Sequence, residues 1–427
     1  MHEAMYRITI IGGAGDMARV AARAFLSLIA DCRLMLADYN LDKVEKVAAS
    51  YDSPDVEAAF VDLYDPAVLR EVIRGSDLVA NCTGPYYRTG RPVVEACIDE
   101  KVNYIDLGDD EESAMELLGL HERVREAGIT ALICCGVAPG LVNVIARQCA
   151  QQLDVVENID LAWVTGSTPP EEGKERGGAA VFEHMVHACM GKCGTIRDGK
   201  RVEIPSFRNG HVLEFPEPLG TYELFDLGHA EIATMPRFFP DVKNIRSMGS
   251  LYPPYYNGVF RGVAGAVDKG KVEMKDAVRF LLALDAGEIP RGFRLYISVL
   301  GGVISQLFRG ELKARMLFAF IKEVLGKPSG HSIGAVMVAA EGVKDGKKLR
   351  IQASNAGYQG GLEGKFDMDD WTGTPLAVFA SMLLEGLIAD KGVLAPEACV
   401  DPAEFMSRMI RAMPDAEEAI RVEALEL

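Results

Sequence analysis

The 427-residue chain has no uninterrupted apolar run of about 18 residues, the length a spanning helix needs, so no membrane span and no membrane partner are expected. Its start, MHEAMYRITIIGG, has no basic segment leading into a 7–15-residue apolar stretch, so no secretory signal is expected. Its nine cysteines are an odd number without the spacing of a disulfide framework, which predicts reduced thiols and a cytoplasmic protein. Positive charge is scarce: 45 Lys and Arg stand against 62 Asp and Glu, for a formal net charge of −17. Such a field repels phosphate backbones, so nucleic acid is not an expected partner, and it weakly favours a cationic substrate. Internal repeats and low-complexity segments are lacking as well. What remains is an ordinary globular composition, 49% apolar and 25% charged, in a chain too long for one core.

From the N-terminus, strand and helix patterns alternate. Residues 6–12 (YRITIIG) are β-branched and apolar, as a strand buried on both faces requires. Further strands are predicted at 33–38, 58–63, 77–84, 102–108 and 129–136, and helices at 17–30, 41–50, 66–74, 91–101 and 111–127. Such alternation implies right-handed crossovers and a doubly wound parallel sheet, placing a dinucleotide-binding domain over residues 1–140. After about residue 140 the alternation stops. A strand is predicted at 157–165, a polar loop at 168–178, and further strands at 201–205, 243–251, 333–343 and 348–356. The polar VKDGKKLR at 343–350 marks a hairpin turn. Helices are predicted at 274–286 and 303–325, and the end, from residue 372, is read as helical again. The fold class is therefore α/β: a Rossmann-type doubly wound parallel sheet, plus an α+β substrate or dimerisation domain with a mixed or antiparallel sheet over 141–365.

The strongest local signal is Gly12-Gly13-Ala14-Gly15-Asp16-Met17-Ala18, which from Gly13 reads G-x-G-x-x-A. In this reading Gly13 permits the tight turn, Gly15 lets the backbone approach a pyrophosphate, and Ala18 packs the helix on its strand. The pyrophosphate would sit on free N–H groups at the helix N-terminus. The motif follows a strand and opens a helix, the context it needs to be informative. Asp38 closes the second strand, 23 residues after Gly15. A carboxylate there accepts hydrogen bonds from a ribose and repels a 2′-phosphate, so NAD is expected rather than NADP. Asp62, ending the third strand, either borders the adenine or is a solvated turn residue.

Two loops leave the sheet at the edge where ligands bind in such folds. One is Asn81-Cys82-Thr83-Gly84-Pro85-Tyr86-Tyr87-Arg88, and the other Gly136-Val137-Ala138-Pro139-Gly140-Leu141-Val142-Asn143. Together with VVEACIDEKVNYIDLGDD, CCGVAPGLVN, GTPLAVFASMLLEG and DKGVLAPEAC, they resemble the saccharopine dehydrogenase family, including its lysine ε-dehydrogenases. The resemblance implies that the C-terminal helices of 366–427 pack back on the dinucleotide domain, and that the protein is a homodimer. It places Gly13, Gly15, Asp16, Met17 and Asp38 on the dinucleotide, Thr83, Gly84 and Pro85 along the nicotinamide, and Val137, Ala138 and Pro139 closing over it.

The chemistry the resemblance implies is hydride transfer at a carbon bearing nitrogen, in an amino acid such as lysine or in a polyamine-like amine. A general acid or base must then handle the amine proton. Tyr86, Asp106 and His229 are the candidates, with Glu231 beside them. A substrate carboxylate calls for an Arg fork, and Arg88, Arg237 and Arg261 are options. His184, on a predicted helix, is a further substrate-binding candidate. Two other readings stay open: an enoyl reductase-like enzyme acting on C=C bonds, and a cofactor-binding regulatory protein without turnover. No metal site is expected, because HMVHACMGKC at 184–193 lacks zinc spacing. Cys134 and Cys135 read as small buried hydrophobes. The stretch 303–325 is read as a core or dimer helix rather than a membrane-surface one, and the acidic end as a solvated helix or frayed terminus.

Overall fold

The structure, a computed structural model, describes residues 5–166, 178–324, 332–359, 368–414 and 420–427. All of the predicted loop at 168–178 except Gly178 lies outside these residues. The chain forms two compact units. One comprises Met1–Gln151, Ala233–Pro240 and Asp369–Glu418; the other comprises Gln152–Ile232, Asp241–Met368 and Ala419–Leu427.

In the first unit β1 (Tyr6–Ile11), β2 (Cys32–Asp38), β3 (Val56–Phe60), β4 (Leu78–Asn81), β5 (Asn103–Asp106) and β6 (Thr130–Leu132) pair in the order β3-β2-β1-β4-β5-β6. Every pair is parallel. Ile8, Ile10 and Ile11 of β1 are buried, as befits a strand with helices on both faces. Strand order reverses between β1 and β4, and that switch point is where such sheets take ligands.

Several local expectations need correction here. The helix predicted at 91–101 begins at Tyr86 and runs to Glu100 through Gly90 and Pro92. Pro92 forfeits only the bond to the carbonyl of Arg88, an exposed residue where water can serve instead. The helix predicted at 111–127 is two, Glu111–Leu118 and His121–Glu126, because the chain tightens at Gly119, whose N–H bonds both Met115 and Glu116 carbonyls. The end of the chain is not wholly helical. Gly392–Leu394 joins the parallel sheet beside β6. The acidic terminus supplies a strand, Arg421–Glu426, antiparallel to a strand of the second unit. Its acidic side chains suit a sheet edge, where charge discourages further pairing.

The second unit holds β7 (Val155–Thr165), β8 (Lys192–Arg197), β9 (Lys200–Pro205), β10 (Gly210–Glu214), β11 (Thr221–Asp226), β12 (Asn244–Leu251), β13 (Ser332–Lys344) and β14 (Lys347–Gln359). The sheet runs β10-β11-β12-β7-β13-β14 and ends on Arg421–Glu426, with β8 bridging β12 and β9. Only β12 with β7 is parallel, so the sheet is mixed. One face buries Ala162, Val164, Leu224, Met248, Ala335 and Met337 together. The β13–β14 hairpin turns through Asp345 (φ +51) and Gly346 (φ +76), the two left-handed residues a two-residue hairpin demands.

The helix predicted at 303–325 is also two, Phe293–Arg309 and Ala314–Val324, because Gly310 takes φ +78 and ends the first. Leu295, Val299 and Val303 face inward, whereas Phe293, Phe308 and Phe318 are exposed, so the reading as a core helix holds for one face only. Helix Tyr255–Asp268 meets Phe293–Arg309 backbone to backbone: a Cβ on Gly302 would stand 2.0 Å from the Gly258 carbonyl oxygen. Among the described residues no helix is long and apolar enough to cross a membrane.

Candidate functional site

In the first unit, the carboxyl ends of β1, β2, β4 and β5 carry most of the residues singled out from sequence. After β1 the chain turns through Gly12, whose φ is +80. The N–H groups of Gly12 and Gly13 both donate to the Ala37 carbonyl, at 2.8 and 3.0 Å. This corrects the reading of the motif: Gly12, not Gly13, supplies the unusual backbone. Gly13 is needed for a different reason, since a Cβ on it would stand 2.8 Å from Leu36 Cβ of β2. A Cβ on Gly12 would stand 2.6 Å from Thr83 Cγ2 and 3.0 Å from the Cys82 carbonyl oxygen. The turn and the fourth-strand loop are thus in contact. We expect Gly12→Ala to lower stability by about 1–3 kcal/mol from backbone strain, read by urea unfolding, and to abolish cofactor binding. A variant that unfolds and binds like the parent would refute this role.

Gly15 opens helix Asp16–Leu28, and no side chain caps that end. A Cβ on Gly15 would meet only the Gly12 carbonyl oxygen, at 3.2 Å, within 4 Å. The outer side of the turn is therefore open and lined by backbone, which fits a pyrophosphate. Ala18 is buried against the sheet. Asp16 forms an ion pair with Arg19 at 2.7 Å, and Met17 is half-buried. Asp38 accepts hydrogen bonds from Ala14 N (3.2 Å) and Asn40 N (2.9 Å), so the acid expected on the ribose also ties down the glycine turn. Asp62 accepts from Tyr64 N at 2.9 Å.

A buried polar chain, missed in the sequence, lies behind the fourth-strand loop. Thr83 Oγ1 donates to Asn81 Oδ1 in a short contact, Asn81 Nδ2 donates to Tyr104 Oη (3.1 Å), and Tyr104 Oη donates to Asp106 Oδ2 (2.8 Å). Asp106 Oδ1 accepts from Gly108 N (2.9 Å) and Cys134 N (2.7 Å). Asn81 and Asp106 are register partners at the ends of β4 and β5. A polar residue closing each of two buried strands was the available signal. Burial raises the Asp106 carboxyl to about 6, against the pull of those hydrogen bonds. Tyr86 is buried, donates to the Asn81 carbonyl (3.3 Å), and is held neutral because burial drives its phenol well above the usual range. Burial likewise pushes the Cys82 thiol up to about 12.

Arg88 is exposed, with its guanidinium 5.3 Å from the Tyr87 ring centre. Val137 and Pro139 are buried, Ala138 half-buried, and the Gly84–Pro85 and Ala138–Pro139 bonds are both cis. Asn143 pins the second loop, accepting from Gly140 N (2.9 Å) and donating to Glu397 Oε2 (2.9 Å). Arg237 is exposed on helix Glu231–Phe238.

In the second unit, His229 Nδ1 stands 2.6 Å from Glu231 Oε2, and both side chains are buried. Ser247 Oγ reaches the same oxygen at 3.3 Å, and Glu231 Oε1 has no hydrogen-bond partner among the described residues. His184 and Trp163 flank His229, with ring centres 5.9 and 5.7 Å away. The structure thus gathers His184, His229 and Glu231 into one cluster. Arg261 lies elsewhere in the unit, paired with Glu311.

Residues 8–132 match the family model described as the saccharopine dehydrogenase NADP binding domain, and residues 136–414 match the saccharopine dehydrogenase C-terminal domain. Carboxynorspermidine synthase of Vibrio alginolyticus is 24% identical over 407 residues, covering 88% of each chain. Carboxyaminopropylagmatine dehydrogenase of Synechocystis sp. is 23% identical over 272 residues, 59% of this chain and 64% of the relative. Apo saccharopine dehydrogenase (L-Glu forming) from Saccharomyces cerevisiae has the same fold, with a TM-score of 0.64 at 15% identity over 99% of this chain and 100% of that one.

Proposed function

The chain belongs to the saccharopine dehydrogenase family of NAD(P)-binding oxidoreductases, and from that footing we propose that it transfers hydride at the C–N centre of an amino acid or polyamine-like amine. The observation that carries this reading is the open, uncapped glycine turn at the switch point of the parallel sheet, with Asp38 fastened to it. The names of two relatives, carboxynorspermidine synthase and carboxyaminopropylagmatine dehydrogenase, favour a carboxylated polyamine-like amine as the first class to assay, with lysine and its derivatives beside it.

When bound, the nicotinamide supplies the redox chemistry. The chain's own part is binding, position and proton handling. The Gly12–Gly15 turn and the helix N-terminus hold the pyrophosphate, Asp38 the ribose, and Thr83–Pro85 with Val137–Pro139 the nicotinamide side. Asp38 favours NAD over NADP by repelling a 2′-phosphate; the description of the matching domain names NADP, so both are to be measured. In the first unit Asp106, with its carboxyl raised to about 6, is the group suited to move the amine proton, with neutral Tyr86 as a donor; the alternative is His229 of the second unit, oriented by Glu231. Arg88 is the substrate contact that goes with the first reading, and His184, beside His229, the one that goes with the second.

The test is to mix NADH or NADPH with amine–aldehyde pairs that form imines in solution, follow loss of the reduced-nicotinamide absorbance, and identify the secondary amine by mass. Turnover with at least one pair is expected. Turnover of enoyl substrates alone would replace this reading with C=C reduction. Cofactor binding without turnover of either class would leave a regulatory protein.

A further inference from the structure

In a chain with a formal charge of −17, one cavity of the second unit is strongly basic. It has a volume of about 290 Å³ and is lined by Arg208, Arg261, Lys269, Lys271 and Arg309, with Ser298, Ser305 and glycine backbone completing the wall. No carboxylate lines it. Two helices build it. Residues 262, 265, 266 and 269 form one face of helix Tyr255–Asp268 and its end, and residues 298, 302, 305 and 309 form one face of helix Phe293–Arg309. The backbones touch at Gly258 and Gly302, whereas a Cβ on Gly265 would meet nothing within 4 Å. The helices thus part beside Gly265 and leave room for a guest.

The cations there are only partly answered by the protein: the Arg261 guanidinium lies over the Phe225 ring, 4.0 Å from its centre, but hydrogen-bond acceptors are few. Arg261 is buried, with Nε on the Phe207 carbonyl (2.7 Å) and Nη1 in a short contact with Glu311. Its Nη2 is buried and has no hydrogen-bond partner among the described residues. Arg309 lies 3.7 Å from Glu311, so this one carboxylate serves two arginines. Arg208 is half-buried and donates a hydrogen bond to the Phe207 carbonyl (3.2 Å). Burial and the neighbouring Arg261 and Arg309 charges hold the Arg208 guanidinium below its usual range. Glu223, within reach of Arg261 and Glu311, is itself pushed up by burial and by Glu311. Leaving a guanidinium nitrogen buried and unmatched is costly, and collecting like charges around a cavity adds to that cost.

We propose that this cavity is a binding site for a small polyanion, a polyphosphate or polycarboxylate carrying about three or more negative charges, held by arginine forks and by the ammonium groups of Lys269 and Lys271. A dicarboxylate would leave the cluster under-neutralised: five cations against the Glu311 carboxylate leave an excess of four. The two serines and the exposed glycine backbone add neutral donors of the kind that phosphate oxygens accept.

The experiment is calorimetric titration of the full chain with pyrophosphate and, separately, with citrate, at ionic strength held constant with sodium chloride. Sub-millimolar binding of one or both is expected; the tighter of the two separates phosphate from carboxylate chemistry. Gly265→Glu sets a carboxylate into open space on a helix, where glutamate is a better helix former than glycine, so the fold is kept. It is expected to weaken binding by at least about tenfold, as is the exposed pair Lys269→Ala with Lys271→Ala. These variants avoid Arg261, whose loss would also strip Phe207 and Glu311 of a partner. Pyrophosphate binding that survives Gly265→Glu unchanged belongs to the glycine turn of the first unit and overturns the proposal. Failure of both anions to bind overturns it too, and neither result bears on nicotinamide cofactor binding, which is read by NADH or NADPH fluorescence.

Discussion

Asp38→Asn is expected to shift the preference between NADH and NADPH by about fivefold to nearly a thousandfold toward NADPH, read as the ratio of two dissociation constants from fluorescence titration. The range follows from Coulomb's law: a carboxylate about 4 Å from a 2′-phosphate charge costs about 1 kcal/mol in water and about 4 kcal/mol at a protein surface. Asparagine is the informative replacement, because Asp38 also accepts from Ala14 N and Asn40 N. An amide oxygen keeps an acceptor for the turn while removing the charge. Alanine would loosen the turn and weaken both cofactors, hiding the change in preference. An unchanged ratio in the Asn variant would mean that Asp38 is a turn anchor only and does not discriminate between the two cofactors.

Asp106→Ala is expected to cost about 3–6 kcal/mol in urea unfolding, a large part of a typical domain's stability. Three donors lose their acceptor: the Tyr104 hydroxyl and the N–H groups of Gly108 and Cys134. Each buried donor left unmatched costs about 1–3 kcal/mol. Asp106→Asn retains one acceptor oxygen and should fall between the parent and Ala. The same residue links stability to pH. Its carboxyl titrates near 6 in the folded protein, where burial disfavours the charge, and near 3.9 when unfolded. Between those values the folded state holds a proton that the unfolded chain has released. The stability this proton supplies is complete at the acid end of the window and is lost as pH rises through 6. Acidifying from about pH 7 to pH 5 should therefore widen the gap between parent and Asp106→Asn by about 1 kcal/mol. A gap that stays the same between about pH 7 and pH 5 would show that the Asp106 carboxyl is not raised by burial, because a carboxyl at or below the usual value does not titrate in that window. If Asp106 moves the amine proton, the pH–rate profile should lose an inflection near 6 in the same variant.

Much of the first unit was legible because its information is local. A strand covered on both faces by helices must be a continuous apolar run, as in Ile8–Ile11, and a crossover must be right-handed, so alternation alone implied the parallel sheet and its ligand-binding edge. The glycine turn and Asp38 were visible for the same reason, since a phosphate-binding turn is a few consecutive residues. Long-range contact decided the rest. Both Gly12 and Gly13 are indispensable through distant contacts, Gly12 because Thr83 and Cys82, some seventy residues on, leave no room for a Cβ, and Gly13 because Leu36 of β2 leaves none either. The Asp106 carboxyl titrates near 6 because β4 and β6 bury it, which no spacing near residue 106 announces. In the second unit β8, β10 and β11 are short, partly exposed strands, and only their partners make them strands. The basic cavity joins Arg208 to residues 53 to 101 positions further along. By itself the sequence determined the class of fold, the edge on which the dinucleotide turn stands and the family. Tertiary structure alone decided which side chains are buried, which charges share a space and which glycines are indispensable, because burial and charge proximity are set by neighbours distant in the chain.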